Sequence, residues 1–216
     1  MFKNKFKKFG GEFIPDIVEY LKNYINDHPT TTISIGCDSI QKRKKTMYAV
    51  TIMLYETDIK KGAHVIFYRE NLVKIKNHFE RLQKEAQYMH DLGEYLTQEL
   101  SFYNRDDIND YERKRYKFHL AKCNGEYSHV PDHYQDSFTR SMLLTDSEKI
   151  MEYKPIDIHL DFNPAEGITD KRGYAKNKSN ISYHSFVPWL RGMGYRVWAK
   201  PNGFAATSAA DLLLQD

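Results

Sequence analysis

The chain predicts an α/β domain: a mixed five-stranded sheet flanked by helices. Strand-like alternation is clustered in the first third, a long amphipathic helical pattern follows, and alternation returns at residues 156–161 before a helix, a strand and a short terminal helix. At 216 residues and 41% hydrophobic the chain can bury one real core, and its length favours one domain carrying an insertion over two equal domains. The expected division is an N-terminal basic arm and short helix over residues 1–30, then one domain over 31–216 interrupted by an insertion at about 104–153.

Lys3, Lys5, Lys7 and Lys8 run into Gly10 and Gly11, which reads as a mobile, solvated arm. Ile17, Val18, Leu21 and Ile25 recur at helical spacing, and Pro15 suits a first turn. Ile33, Ile35 and Cys37 alternate with Thr32, Ser34 and Gly36, giving a first strand. A polar turn over 41–45, a second strand over 47–55 and a third over 63–68 complete a three-stranded antiparallel meander.

Ile75, Phe79, Leu82, Ala86, Met89, Gly93, Leu96 and Leu100 keep a three-four spacing, the mark of a long helix with one apolar face on the sheet. The next 50 residues are rich in charge, Tyr and His with weak periodicity, hence the reading as an insertion, partly helical. Ile156, Ile158 and Leu160 alternate with Asp157, His159 and Asp161 in a fourth strand. A Lys-rich loop (167–180), a helix (183–193) ending at Gly194, a fifth strand (195–200) and a short terminal helix close the chain.

Charge is high but balanced, 32 basic against 29 acidic residues, so the net +3 gives at most a mild preference for polyanions. The N-terminus has no signal-peptide apolar core, nothing reads as a membrane span, and Cys37 and Cys123 lie far apart. A cytoplasmic, reduced protein is expected.

Two strands deliver a carboxylate at their ends, Asp38 and Asp161, where a side chain at a sheet rim can reach water and a hard cation. Taken singly, each also fits a turn-forming Asp that caps its own loop. On the long helix, whose apolar face centres near Leu82, Ala86 and Met89, Glu85 lies about 70° from that centre, nearer than Glu80, Asp91, Glu94 or Glu99. Asp211 is flanked by Ala205, Ala206, Ala209 and Ala210. With Ser208 as N-cap it falls at the third helical position, which favours a carboxylate for capping alone.

The Asp38 strand and hairpin, the stretch KGAHVIFYRE at 61–70, the helix bearing Glu85 and Ala86, the strand end HLDFN at 159–163, and GMGYRVWAKP followed by AATSAAD resemble the bacterial ribonuclease H-like family called YkuK. The resemblance covers roughly residues 32–103 and 156–211. It implies a ribonuclease H-like fold, with parallel strands after the meander, and an acidic cluster drawn from the first strand, the long helix, the fourth strand and a C-terminal helix. Matched residue by residue, that cluster is Asp38, Glu85, Asp161 and Asp211, in catalytic and metal-binding roles. It raises Asp211 from cap to ligand. Such a cluster holds two Mg²⁺ or Mn²⁺ ions roughly 3.5–4 Å apart and hydrolyses phosphodiesters. Cys37 is expected to be a small buried hydrophobe and His159 a satisfied structural histidine.

Lys42, Arg43, Lys44 and Lys45 on the hairpin tip and Lys171, Arg172, Lys176 and Lys178 in the loop after Asp161, with Lys200, would flank the acids as a phosphate-tracking groove, aided by Asn163, Asn177 and Asn180. In the insertion, His119, Cys123, His129 and His133 leave gaps of three, five and three residues. That spacing is loose and lacks a zinc knuckle, so it reads as polar surface rather than a zinc site. Tyr116, Tyr127 and Tyr134 offer either base stacking or local packing. The leading expectation is a divalent-metal-dependent nuclease acting on RNA, DNA or a hybrid or branched nucleic acid. The alternatives are a catalytically inactive nucleic-acid-binding module, or a domain that meets a protein partner through the 104–153 insertion.

Overall fold

The computed structural model describes residues 2–28, 31–56, 63–100, 154, 156–164, 179–200, 203 and 205–214. Its strands are β1 (Lys7–Lys8), β2 (Thr31–Lys42), β3 (Lys45–Glu56), β4 (His64–Val73), β5 (Ile156–Leu160) and β6 (Arg196–Trp198). They form one sheet in the order β1-β4-β3-β2-β5-β6. The meander β2-β3-β4 is antiparallel, β5 pairs parallel with β2 and β6 parallel with β5, the mixed architecture that the family resemblance implies.

The sixth strand corrects the expected count of five. Lys7 and Lys8 pair with Phe67 and Ile66 of β4, and the chain turns back through Gly11 at φ 91, so that Lys7 also bridges Phe13. The N-terminal segment is therefore part of the fold and not a mobile arm. Phe2 and Phe6 are buried in the main core, Phe6 edge-on to Tyr68 at 5.0 Å, while the lysines between them stay at the surface. Four lysines conceal two core aromatics.

Helix α1 (Ile17–Asp27) starts at Asp16, whose Oδ1 accepts from the backbone N–H groups of Val18 and Glu19. Pro15 thus lies before the cap and not in the first turn. Asn77 caps α2 (His78–Glu99) in the same manner. The hairpin strands run further than expected, to Lys42 and from Lys45, so the turn shrinks to Arg43 and Lys44. Helix α3 (Asn180–Gly192) leads into β6 through Gly194, whose φ of 90 suits the left-handed end of a helix.

Strand alternation divides the sheet into two unlike faces. Ile33, Ile35 and Cys37 of β2, Ile156, Ile158 and Leu160 of β5, and Val50 and Ile52 of β3 join one large core with α1, α2 and α3. Cys37 is the small buried residue expected there, and burial raises its thiol pKa. The opposite face is covered over part of its area by a π-helical segment (Ala205–Ala210) running into α4 (Asp211–Leu214). Ala210, Leu213 and Leu214 pack there on Met47 and Ala49.

Candidate active site

Cys37 pairs with Leu160, so Asp38 and Asp161 are the next residues along two adjacent parallel strands, which lie about 4.8 Å apart. His159 pairs with Trp198, and two residues further along the same pair of strands come Asp161 and Lys200. On the other side Asp38 pairs with Ala49 of β3. The rim of the sheet therefore carries Asp38, Asp161 and Lys200 side by side, on the face that the C-terminal segment covers.

Glu85 reaches the same rim from α2. Its side chain is 0% exposed; the Ser39 hydroxyl donates to its Oε1, while Oε2 has no hydrogen-bond partner. Arg81, one helical turn earlier, donates through Nη1 to Ser39 Oγ at 2.8 Å and to the Ser39 carbonyl, and stands 3.9 Å from Glu85. Its Nη2 meets His78 Nδ1 at 3.0 Å. Sequence alone does not single out Ser39 and Arg81. The available signals were the Asp-Ser pair at a strand end and an Arg four residues before an acid on one helix.

The carboxylates feel one another. Burial, then the charge of Asp161, and more weakly that of Asp211, push the Asp38 carboxyl up to about 6, against a backbone hydrogen bond from Ser39. Glu85 is driven well above the carboxylate range by burial and then by Asp38. Asp161 is raised by burial, opposed by Lys200. Asp211 is exposed at the start of α4, and its charge reaches both Asp38 and Asp161. The capping geometry expected for it is absent: Ser208 lies inside the π-helical segment, and Asp211 is the first α-helical residue rather than the third. The structure thus brings all four predicted acids into one electrostatic cluster. Among the described residues, no three His, Cys, Asp or Glu side chains form a ready-made metal-holding group.

The C-terminal segment is clamped at one residue. The N–H of Ala205 donates to His159 Nδ1 at 2.9 Å, and its carbonyl accepts from Thr51 Oγ1 at 3.0 Å. His159 is the satisfied structural histidine expected, and its bond fixes where the element bearing Asp211 begins. Just before it, Gly203 lies so close to β5 that a Cβ there would stand 2.9 Å from the Leu160 carbonyl oxygen.

Among the expected nucleic-acid contacts, Arg43, Lys44 and Lys45 are exposed at the hairpin tip and Lys42 is half-buried, four to seven residues beyond Asp38 on the same hairpin. Lys200 lies on Asp161, its Nζ 2.7 Å from Oδ1 and 2.9 Å from Oδ2. The Asn163 backbone N–H donates to Ser179 Oγ at 3.0 Å, and the Asn180 side-chain amide donates to the Pro164 carbonyl, so both asparagines tie the base of the Lys-rich loop. Lys171, Arg172, Lys176, Lys178 and Asn177 lie outside the described residues. So do His119, Cys123, His129, His133 and the tyrosines of the insertion. No helix among the described residues is long and apolar enough to cross a membrane.

The model of the family described as Ribonuclease H-like matches residues 14–121, half of the chain. No curated protein and no solved structure gives a match.

Proposed function

The chain belongs to the ribonuclease H-like family, and from that premise we propose that it is a divalent-metal-dependent nuclease that hydrolyses phosphodiester bonds in RNA, DNA or a hybrid or branched nucleic acid. The observation that carries this reading is the meeting of Asp38 and Asp161 at neighbouring strand ends with Glu85 from α2. Asp38, Glu85, Asp161 and Asp211 would hold Mg²⁺ or Mn²⁺. The donor set is all carboxylate oxygen, which suits hard cations, and the buried Glu85 Oε2 is left without a hydrogen-bond partner.

When bound, such an ion supplies charge neutralisation for the phosphodiester and makes water a better nucleophile. The chain's own groups do the rest. Ser39 and Arg81 orient Glu85. The His159 and Thr51 clamp sets the start of the segment that carries Asp211. The basic hairpin tip meets the phosphate backbone some residues away, where contacts are electrostatic and independent of sequence. The buried free thiol of Cys37 fits a reducing cytoplasmic setting.

The test is hydrolysis of a panel of RNA, DNA, hybrid and branched substrates with Mg²⁺ or Mn²⁺. Activity is expected to require the metal and to be lost in both Asp38→Asn and Asp161→Asn; activity that survives both substitutions defeats the proposal. A second reading, a binding module without catalysis, rests on the hairpin lysines, which do not depend on the acids. It predicts salt-sensitive nucleic-acid binding that is indifferent to metal and to Asp38→Asn.

A further inference from the structure

The loop between β4 and α2 is laid against the base of the hairpin tip. Lys74 donates its backbone N–H to the Lys44 carbonyl at 3.3 Å, the Ile75 N–H donates to Thr46 Oγ1 at 2.9 Å, and the Gln41 side-chain amide donates to the Ile75 carbonyl. Ile75 packs on the main core, which leaves Lys74 and Lys76 exposed on either side of it. Residues 39–55 and 71–79 contain no Asp or Glu, so the lysines of tip and loop make one basic surface with no acid set among them. That surface ends at the first turn of α2.

Arg81 lies in the next turn, about 8 Å along the helix axis from Lys76. Its guanidinium is clamped rather than free to swing: Nη1 donates to the carbonyl and the hydroxyl of Ser39, and Nη2 donates to His78 Nδ1 at 3.0 Å. Glu85 stands 3.9 Å from Nη1, too far for a hydrogen bond. The Nε–H is open to solvent, on a side chain 17% exposed, and has no hydrogen-bond partner among the described residues. Burial pushes the carboxyls of Asp38, Glu85 and Asp161 up, and the Arg81 charge works against it at each. A fixed cation with an unspent donor therefore sits beside the acids, at the inner end of the basic surface.

We infer that Arg81 binds the substrate phosphate next to the acids and that Lys74 and Lys76 carry the same strand outward to the hairpin tip, along the α2 side of the site. This rests on the reading above that the chain acts on nucleic acid. Arg81 suits the inner place because its planar group never loses its charge and, already immobilised by Ser39 and His78, gives up little freedom when an anion arrives. The lysines suit the outer places, where a flexible point charge follows a backbone of any sequence.

The experiment is fluorescence anisotropy of a labelled single-stranded oligothymidylate and of a labelled DNA duplex, in EDTA so that no hydrolysis competes, over roughly 50 to 200 mM KCl. The proteins are the full chain, Arg81→Gln, Arg81→Lys and the double variant Lys74→Gln/Lys76→Gln, each checked for folding by its melting curve. Arg81→Gln is expected to bind about tenfold more weakly at the lowest salt. Its plot of log affinity against log salt is expected to be shallower by one contact, about 0.7 on the single strand or 0.9 on the duplex. Arg81→Lys should keep the wild-type slope, and the double variant should lose roughly twice as much slope as Arg81→Gln. A side chain that only orients Glu85 leaves the slope unchanged. A wild-type slope on both probes in folded Arg81→Gln, or in the double variant, whose substitutions are confined to the surface, overturns the inference alone. A full chain that binds neither probe overturns it together with the nucleic-acid reading.

Discussion

The two faces of the sheet are written by alternate residues of the same strands, yet they serve opposed ends. Towards α1, α2 and α3, β2 and β5 present Ile33, Ile35, Cys37, Ile156, Ile158 and Leu160, all buried in one apolar core. Towards the C-terminal segment the same strands present Ser34, Gly36, Asp38, Asp157, His159 and Asp161, small or polar throughout. One face removes apolar area from water, worth about 25 cal/mol per Å². The other spends that stability on holding carboxylates together in a partly dry place, where each raises the pKa of the next. A site of this kind needs the first face to be good.

If the faces divide the labour in this way, substitutions on them must differ in kind. Ile35→Ala, at 0% exposure in the main core, is expected to destabilise by about 3 kcal/mol in chemical denaturation, whether or not Mn²⁺ is present. Gly203→Ala touches only the second face. The added methyl meets the Leu160 carbonyl, and a loss of roughly 1–3 kcal/mol is expected, accompanied by weaker Mn²⁺ binding because the segment bearing Asp211 shifts. An equal fall in stability with unchanged Mn²⁺ affinity would detach that segment from the site.

The smaller effect has the opposite sign. Asp38 titrates near 6 in the folded protein, above the ordinary value of 3.8, so the fold holds its proton more tightly than the unfolded chain does. The stability this contributes is present below the unfolded pKa and is lost as pH rises through about 6. Without metal, Asp38→Asn is therefore expected to be more stable than the wild type at pH 7, on the order of 2 kcal/mol, with the advantage gone near pH 4. Added Mn²⁺ should reverse the order at pH 7 by stabilising the wild type alone. Melting curves at the two pH values check it; a wild type that is the more stable protein at pH 7 without metal counts against the clustered charges.

Much of this division is visible in the sequence because alternation and helical period are local signals. The bounds of β5, the long helix and the positions of Asp38, Asp161 and Glu85 follow from them directly. What lies beyond them depends on partners distant in sequence. Phe2 and Phe6 are core residues only because β4 accepts Lys7 and Lys8 as neighbours. Lys200 changes from a groove lysine to the partner of Asp161 only once β5 and β6 are in register. Ser39 matters because α2 sets Arg81 and Glu85 on either side of its hydroxyl. Asp211 keeps its place in the cluster, although the capping geometry that would have explained it away gives way to a π-helical turn.

The most direct measurement is anomalous X-ray scattering from crystals soaked in Mn²⁺. A peak bounded by Asp38, Glu85 and Asp161 and absent from Asp38→Asn is the predicted result. Soaked crystals with no peak at these carboxylates, or with one that persists unchanged in Asp38→Asn, would contradict a metal-dependent nuclease built on this rim.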